Sequence, residues 1–205
     1  MKKRAIDFKN YFLLDISPTV RFLIVSDVII IGAAGLMGPI FALFIEDFII
    51  GGNEAVAGIA IAIYLITKSV FQIPVALIID KIRGEKDDFY FLFVFSIIMG
   101  LLPLFYLVIK TPLALYLVEF LLGLFTAFTF PSYMAIFTRH INKNKEGTEW
   151  GVYFTLTDLV SAALAGIGGY IALTLGFPVL IIIMSGLSVI GATMLWPIRK
   201  YIRVK

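Results

Sequence analysis

Asp27, Lys68, Glu119 and Asp158 lie inside stretches of sequence otherwise apolar enough to cross a bilayer. A charge at the centre of a membrane helix costs roughly 2.5–3.5 kcal/mol on insertion scales, so the four together amount to about 10 kcal/mol. That is comparable with the net stability of a whole domain. Ionisable groups retained at such a cost face a bundle interior or a water-filled cavity, and they mark the path of an ion or a solute.

The residues around them sharpen this reading. Tyr64, Lys68 and Gln72 recur every four positions and form one polar stripe, about two helical turns long, along which a solute could run. Lys68 would serve equally as the partner of an acid such as Asp27 or Asp158 inside the bundle. Tyr116, Glu119, Gly123, Thr126 and Phe130 share a helical face. A carboxylate there is a candidate proton site, because a dry surrounding favours the neutral form of an acid; a hydrogen bond or ion pair to a neighbouring helix is the plainer role. Asp27 shares a face with Ile31, Ala34 and Gly38, and an interfacial acid close to Arg21 is the alternative for it. Asp158, between Thr155 and Ala162, combines a charge with small neighbours and is expected at an interface between protomers. Gly38 with Pro39, and Phe130 with Pro131, are places where a helix can bend. His140 stands without a second His or a Cys to complete a metal site and reads as a solvated loop residue.

The elements that must position these groups are membrane helices. The chain is 60% hydrophobic with 15% charged residues, and runs of about 20 apolar residues predict spans near 22–45, 55–79, 89–109, 113–137, 150–175 and 179–198. The expected fold is therefore all-α, a single six-helix transmembrane domain over residues 1–205 whose first 20 residues form a cytoplasmic segment. Lys and Arg accumulate before the first span and after the second, fourth and sixth, and only Lys110 lies in an opposite loop. By the positive-inside rule both termini are cytoplasmic, in the cell (inner) membrane. The net charge of +3 is accounted for by those short loops, so no nucleic-acid partner is expected. The opening MKKR has the charge of a signal peptide, but IDFKNYFLLDISPT after it lacks a clean apolar core and a cleavage site, so no cleavage is expected. No cysteine is present, which excludes thiol chemistry. The sequence holds no G-x-x-x-x-G-K-[ST], G-x-S-x-G or H-E-x-x-H pattern, and neither ATP hydrolysis by this chain, nor any other enzyme activity, nor a cofactor is expected.

Spans one, two, four and five each hold one ionisable group, whereas three and six offer only uncharged polar residues, so three and six are expected to face lipid. The two halves also echo each other: Asp27 precedes Pro39 by the same interval as Glu119 precedes Pro131, Gly58 and Gly151 fall near matching places, and IIMGL (97–101) resembles IIMSGL (182–187). A three-plus-three repeat with an odd number of helices per unit must be inverted across the membrane, a build typical of secondary transporters.

Three local patterns make the chain resemble the major facilitator superfamily, specifically the amino-terminal half of a member, over nearly its entire length. After the second span, Ala76, Asp80 and Lys81 stand where the family has a Gly, an Asp and a base, with Arg83 and Gly84 inverted relative to its pattern. Such charges at a helix end can latch one transport state. In the fifth span Gly151, Gly168 and Gly169 fall on the glycine places of the family's antiporter-associated pattern, although its proline is missing; Ser161, Ala165 and Gly169, four apart, are expected to give close helix approach. In the fourth span Glu119 stands where members often carry an Arg four residues before a Gly, here Gly123. The resemblance implies a secondary transporter that moves a small solute, with or without protons, by alternating access. It also implies a second six-helix half, supplied by another copy in a homodimer or by another polypeptide. Two different readings are a solute-binding subunit of an ATP-driven importer, docking through Ala34, Gly38 and Ala42, and a membrane scaffold that transports nothing.

Overall fold

The computed structural model describes residues 15–82 and 84–202. Helix α1 (Pro18–Met37) passes through a tight 3-10 turn, Gly38–Ile40, into α2 (Phe41–Phe48), and the two form one bent span. Then come α3 (Glu54–Lys81), α4 (Lys86–Leu101), α5 (Pro112–His140), α6 (Glu146–Leu175) and α7 (Phe177–Thr193). Among the described residues six helical segments are long and apolar enough to cross a membrane, in agreement with the six expected spans. Three of these helices start where a side chain caps them. Ser17 accepts from the Val20 amide, Asn53 from that of Val56 and Thr111 from that of Ala114, and Pro18 and Pro112 occupy the first helical turn, where a missing donor does no harm.

The helices pack as a series. α3 packs on α5, α5 on α4, α4 on α7, α7 on α1, and α1 on α6, while a lighter contact between α1 and α5 joins the middle. α3 and α6 are the two ends of this series, and only 11% of the residues in their most apolar stretches are buried, against 33–39% for the other spans. One side of the bundle is thus the pair α4 and α7, the third and sixth spans. The other is open and presents α3, α5, α1 and α6 in that order. Exchanging the first three spans for the last three leaves the five strongest pairings unchanged, while a lighter contact of α6 with α7 has no counterpart of similar extent between α3 and α4.

Small residues permit the tight pairings. A Cβ at Gly35 would lie 3.1 Å from the Ser161 carbonyl oxygen, one at Gly168 would run into the Leu36 carbonyl, and one at Gly123 would sit 2.5 Å from the Tyr64 carbonyl oxygen. Close approach of α1 and α6 therefore runs through Ser161 and Gly168. Gly169, expected to share in it, has open space where a Cβ would be. Two apolar clusters hold the bundle. One gathers Leu36, Phe44, Tyr106, Leu115, Phe177 and Leu180. The other, toward the ends that carry the basic loops, gathers Leu23, Ile24, Phe89, Ile136, Phe137 and Ile198.

Candidate functional site

The four charged residues do not share one environment. Glu119 is buried inside the bundle and accepts a hydrogen bond from the Tyr106 hydroxyl, which the 3-10 turn Leu102–Leu107 after α4 carries inward beside Phe41 and Phe44. Thr126, one face along, is buried too and donates to the Leu122 carbonyl at 2.7 Å. Glu119 and Thr126 therefore lie within the six-helix unit and not on its open side. Asp27 is half-buried between α1 and α6, and the Tyr153 hydroxyl donates to it at 2.6 Å. The Tyr133 ring stands 5.7 Å from that of Tyr153, so an acid and two phenols from three helices meet here.

Lys68 and Asp158 are different. Tyr64, Lys68 and Gln72 are all half-buried along α3, as their spacing predicted, and the Lys68 ammonium lies over the Phe130 ring, 4.9 Å from its centroid. Asp158 is exposed on α6, together with Gly151, Thr155 and Ala162. Among the described residues neither Lys68 nor Asp158 has an ion-pair partner, so the neutralisation of one by the other within the bundle does not occur. Beside the polar stripe, α3 carries an apolar side of Ile66, Val70 and Ile73, and α6 carries Leu159, Ala163 and Ile167 along one side, all exposed.

At the basic end a second group of charges ties four spans together. Arg139 pairs with Asp88, the His140 ring lies 2.9 Å from the Glu85 carboxylate, and the Ser17 hydroxyl donates to the His140 carbonyl at 2.8 Å. Glu149, fully buried, accepts from the Asn142 amide. His140 is accordingly the last residue of α5 and mostly buried, not a solvated loop residue. Of the motif after the second span, Asp80 and Lys81 end α3 and are exposed, and Arg83 lies outside the described residues. Of the fifth-span glycines, Gly168 packs on α1, whereas Gly151 and Gly169 face open space.

The partners Tyr106, Tyr153, Asp88 and Glu85 were not found from sequence. They meet their partners across separations of 13 to 126 residues, and helical spacing reports only which residues share a face. The one available signal was general: a buried acid must find a donor.

A family model for the Major Facilitator Superfamily matches residues 23–203. The chain belongs to this superfamily. It is a multi-pass membrane protein of a family of transporters rather than enzymes. No curated protein and no solved structure matches it. Within the superfamily frame, the open side of α3, α5, α1 and α6 is the surface that carries the polar stripe, the exposed acid and the unfilled glycines.

Proposed function

We propose that the protein is a secondary transporter that moves a small solute by alternating access along its open side, which a second six-helix unit, another copy of the chain, completes. The observation that carries this is the pair Lys68 and Asp158: opposite charges, midway along two apolar helices, both without an ion-pair partner among the described residues. Charges so placed in a bilayer require water or a partner on the open side. Tyr64, Lys68, Gln72 and Asp158 line the path, Asp27 with Tyr153 stands at its basic end, and Glu119, Tyr106 and Thr126 act inside the unit. Asp80, Lys81 and Arg83 take part in gating at the same end, and Gly151 and Gly169 give the partner close approach.

The basic end is cytoplasmic, in the cell membrane, and both termini lie there. The two halves of the unit form an inverted three-plus-three repeat. Support comes from the five strongest helix pairings, which the exchange of halves leaves unchanged, and from prolines in like places: Gly38–Ile40 and Pro131 in spans one and four, and the 3-10 turns Leu102–Leu107 and Trp196–Lys200, holding Pro103 and Pro197, in spans three and six. The test is reconstitution of the purified chain in proteoliposomes and a screen of labelled cationic, anionic and neutral solutes with and without a proton gradient. Saturable uptake of one class, abolished by Gln72→Leu on the same stripe with assembly intact, is expected. No uptake of any class, or uptake indifferent to Gln72→Leu, would contradict the reading.

A further inference from the structure

Lys68 and Asp158 lie at the same depth on the two helices that flank the open side. Lys68 stands 13 residues before the end of α3 at Lys81, and Asp158 stands 12 residues after the start of α6 at Glu146. Both of those helix ends are at the basic side, so at 1.5 Å per residue the two charges sit about 18 to 20 Å from it. In a hydrocarbon core about 30 Å thick that is deep in the membrane.

A twofold axis along the membrane normal in front of α5 and α1 brings α3 of one copy against α6 of the other. The same operation brings α6 of the first against α3 of the second, because the open side runs α3, α5, α1, α6. An isologous interface repeats every contact in both directions. We propose that Lys68 of each copy pairs with Asp158 of the other, giving two symmetric ion pairs that select a second copy of this chain as the occupant of the open side. Charge complementarity is matched by shape. Around Asp158 the presented face of α6 holds the small residues Gly151, Thr155 and Ala162, and a Cβ at Gly151 would meet nothing within 4 Å. Small residues of this kind allow membrane helices to approach closely. The pairing rests on the dimeric reading above and adds to it the residues that choose the partner.

The experiment uses charge reversal in two differently tagged chains, with oligomeric state read by native mass spectrometry and single-molecule photobleaching in lipid nanodiscs. Lys68→Asp leaves acids at both positions, and Asp158→Lys leaves bases at both. Each variant alone is expected to lose dimer at least tenfold relative to the parent. An equal mixture of the two restores both pairs in each mixed dimer, one in the parental sense and one reversed, removes the like-charge clashes of the single variants, and is expected to return dimer to near the parental level, all of it mixed. Failure of the mixture to recover, with recovery in the single chain Lys68→Asp/Asp158→Lys only, would place the pair within one copy and overturn the inference. A parental dimer unmoved by either reversal would also overturn it while leaving the dimer standing. A parental chain that is monomeric in the bilayer would overturn the dimeric reading itself. Because a reversed charge can impair insertion, a second measurement spares both residues: the parent lacks cysteine, so Leu65→Cys and Ala162→Cys chains are mixed and treated with a short thiol cross-linker. A Leu65–Ala162 product between copies is expected, and cross-links confined to like chains would contradict the pairing.

Discussion

At the scale of single residues, the structure separates charges that hold the unit together from charges that remain for something else. The Glu119 carboxylate is buried with a tyrosine hydroxyl as its donor. Hydrogen bonds to charged groups contribute roughly 1.5–3 kcal/mol, and removing one partner leaves the other buried and unsatisfied. Tyr106→Phe is therefore expected to destabilise the protein by about 2 kcal/mol, read as a lowered unfolding midpoint in detergent, whereas Glu119→Gln, which can still accept from Tyr106, should lose less than half of that. Equal losses in the two variants would contradict the brace. The same logic applies at Asp27, where Tyr153→Phe removes the donor seen at 2.6 Å. Sequence spacing correctly placed Tyr64, Lys68 and Gln72 along one stripe, because neighbours on one helix are fixed by helical geometry alone. The donors to Glu119 and Asp27 were not legible, since they depend on how distant helices meet.

At the scale of helices, glycines divide into those that meet a neighbour and those that meet nothing. Gly168 lies against the Leu36 backbone, while Gly151 and Gly169 have open space at the Cβ position. We expect Gly168→Ala to force α6 away from α1 and lower the unfolding midpoint of the isolated unit. Gly151→Ala and Gly169→Ala should leave that midpoint unchanged or slightly raised, since alanine is about 1 kcal/mol better than glycine in a helix interior, and should weaken only self-association. A drop in unit stability at all three positions would contradict the division. Both kinds of glycine look alike in the sequence, which is why the run Ser161, Ala165, Gly169 suggested an approach that Ser161 and Gly168 make instead. Span number and order were legible from apolar runs, and the starts set by Ser17, Asn53 and Thr111 come from capping chemistry. The echo of IIMGL in IIMSGL was misleading in its register: the first closes α4, and the second lies in the middle of α7. The proline-bearing turns beyond those helices are the better match.

At the scale of the whole molecule, the helix series leaves α3 and α6 as flanks of one open side, with α4 and α7 together on the other. Assignment of the third and sixth spans away from the polar side was legible, because they lack charges. The lateral order of the helices was not, since loop lengths constrain only sequential neighbours. Orientation is checked by single cysteines in the otherwise cysteine-free chain: an impermeant thiol reagent added to intact cells should label Asn53→Cys and spare Asn144→Cys, and the reverse pattern would invert the assignment. Everything functional turns on whether the open side holds water in the assembled protein. The direct measurement is the labelling rate of Ala34→Cys, exposed on the open side of α1, against Ile66→Cys on the apolar side of α3, in proteoliposomes treated with a water-soluble thiosulfonate. A wet path predicts that Ala34→Cys reacts at least tenfold faster; equally slow reaction at both positions would mean that the open side meets lipid, and the transport account would fail.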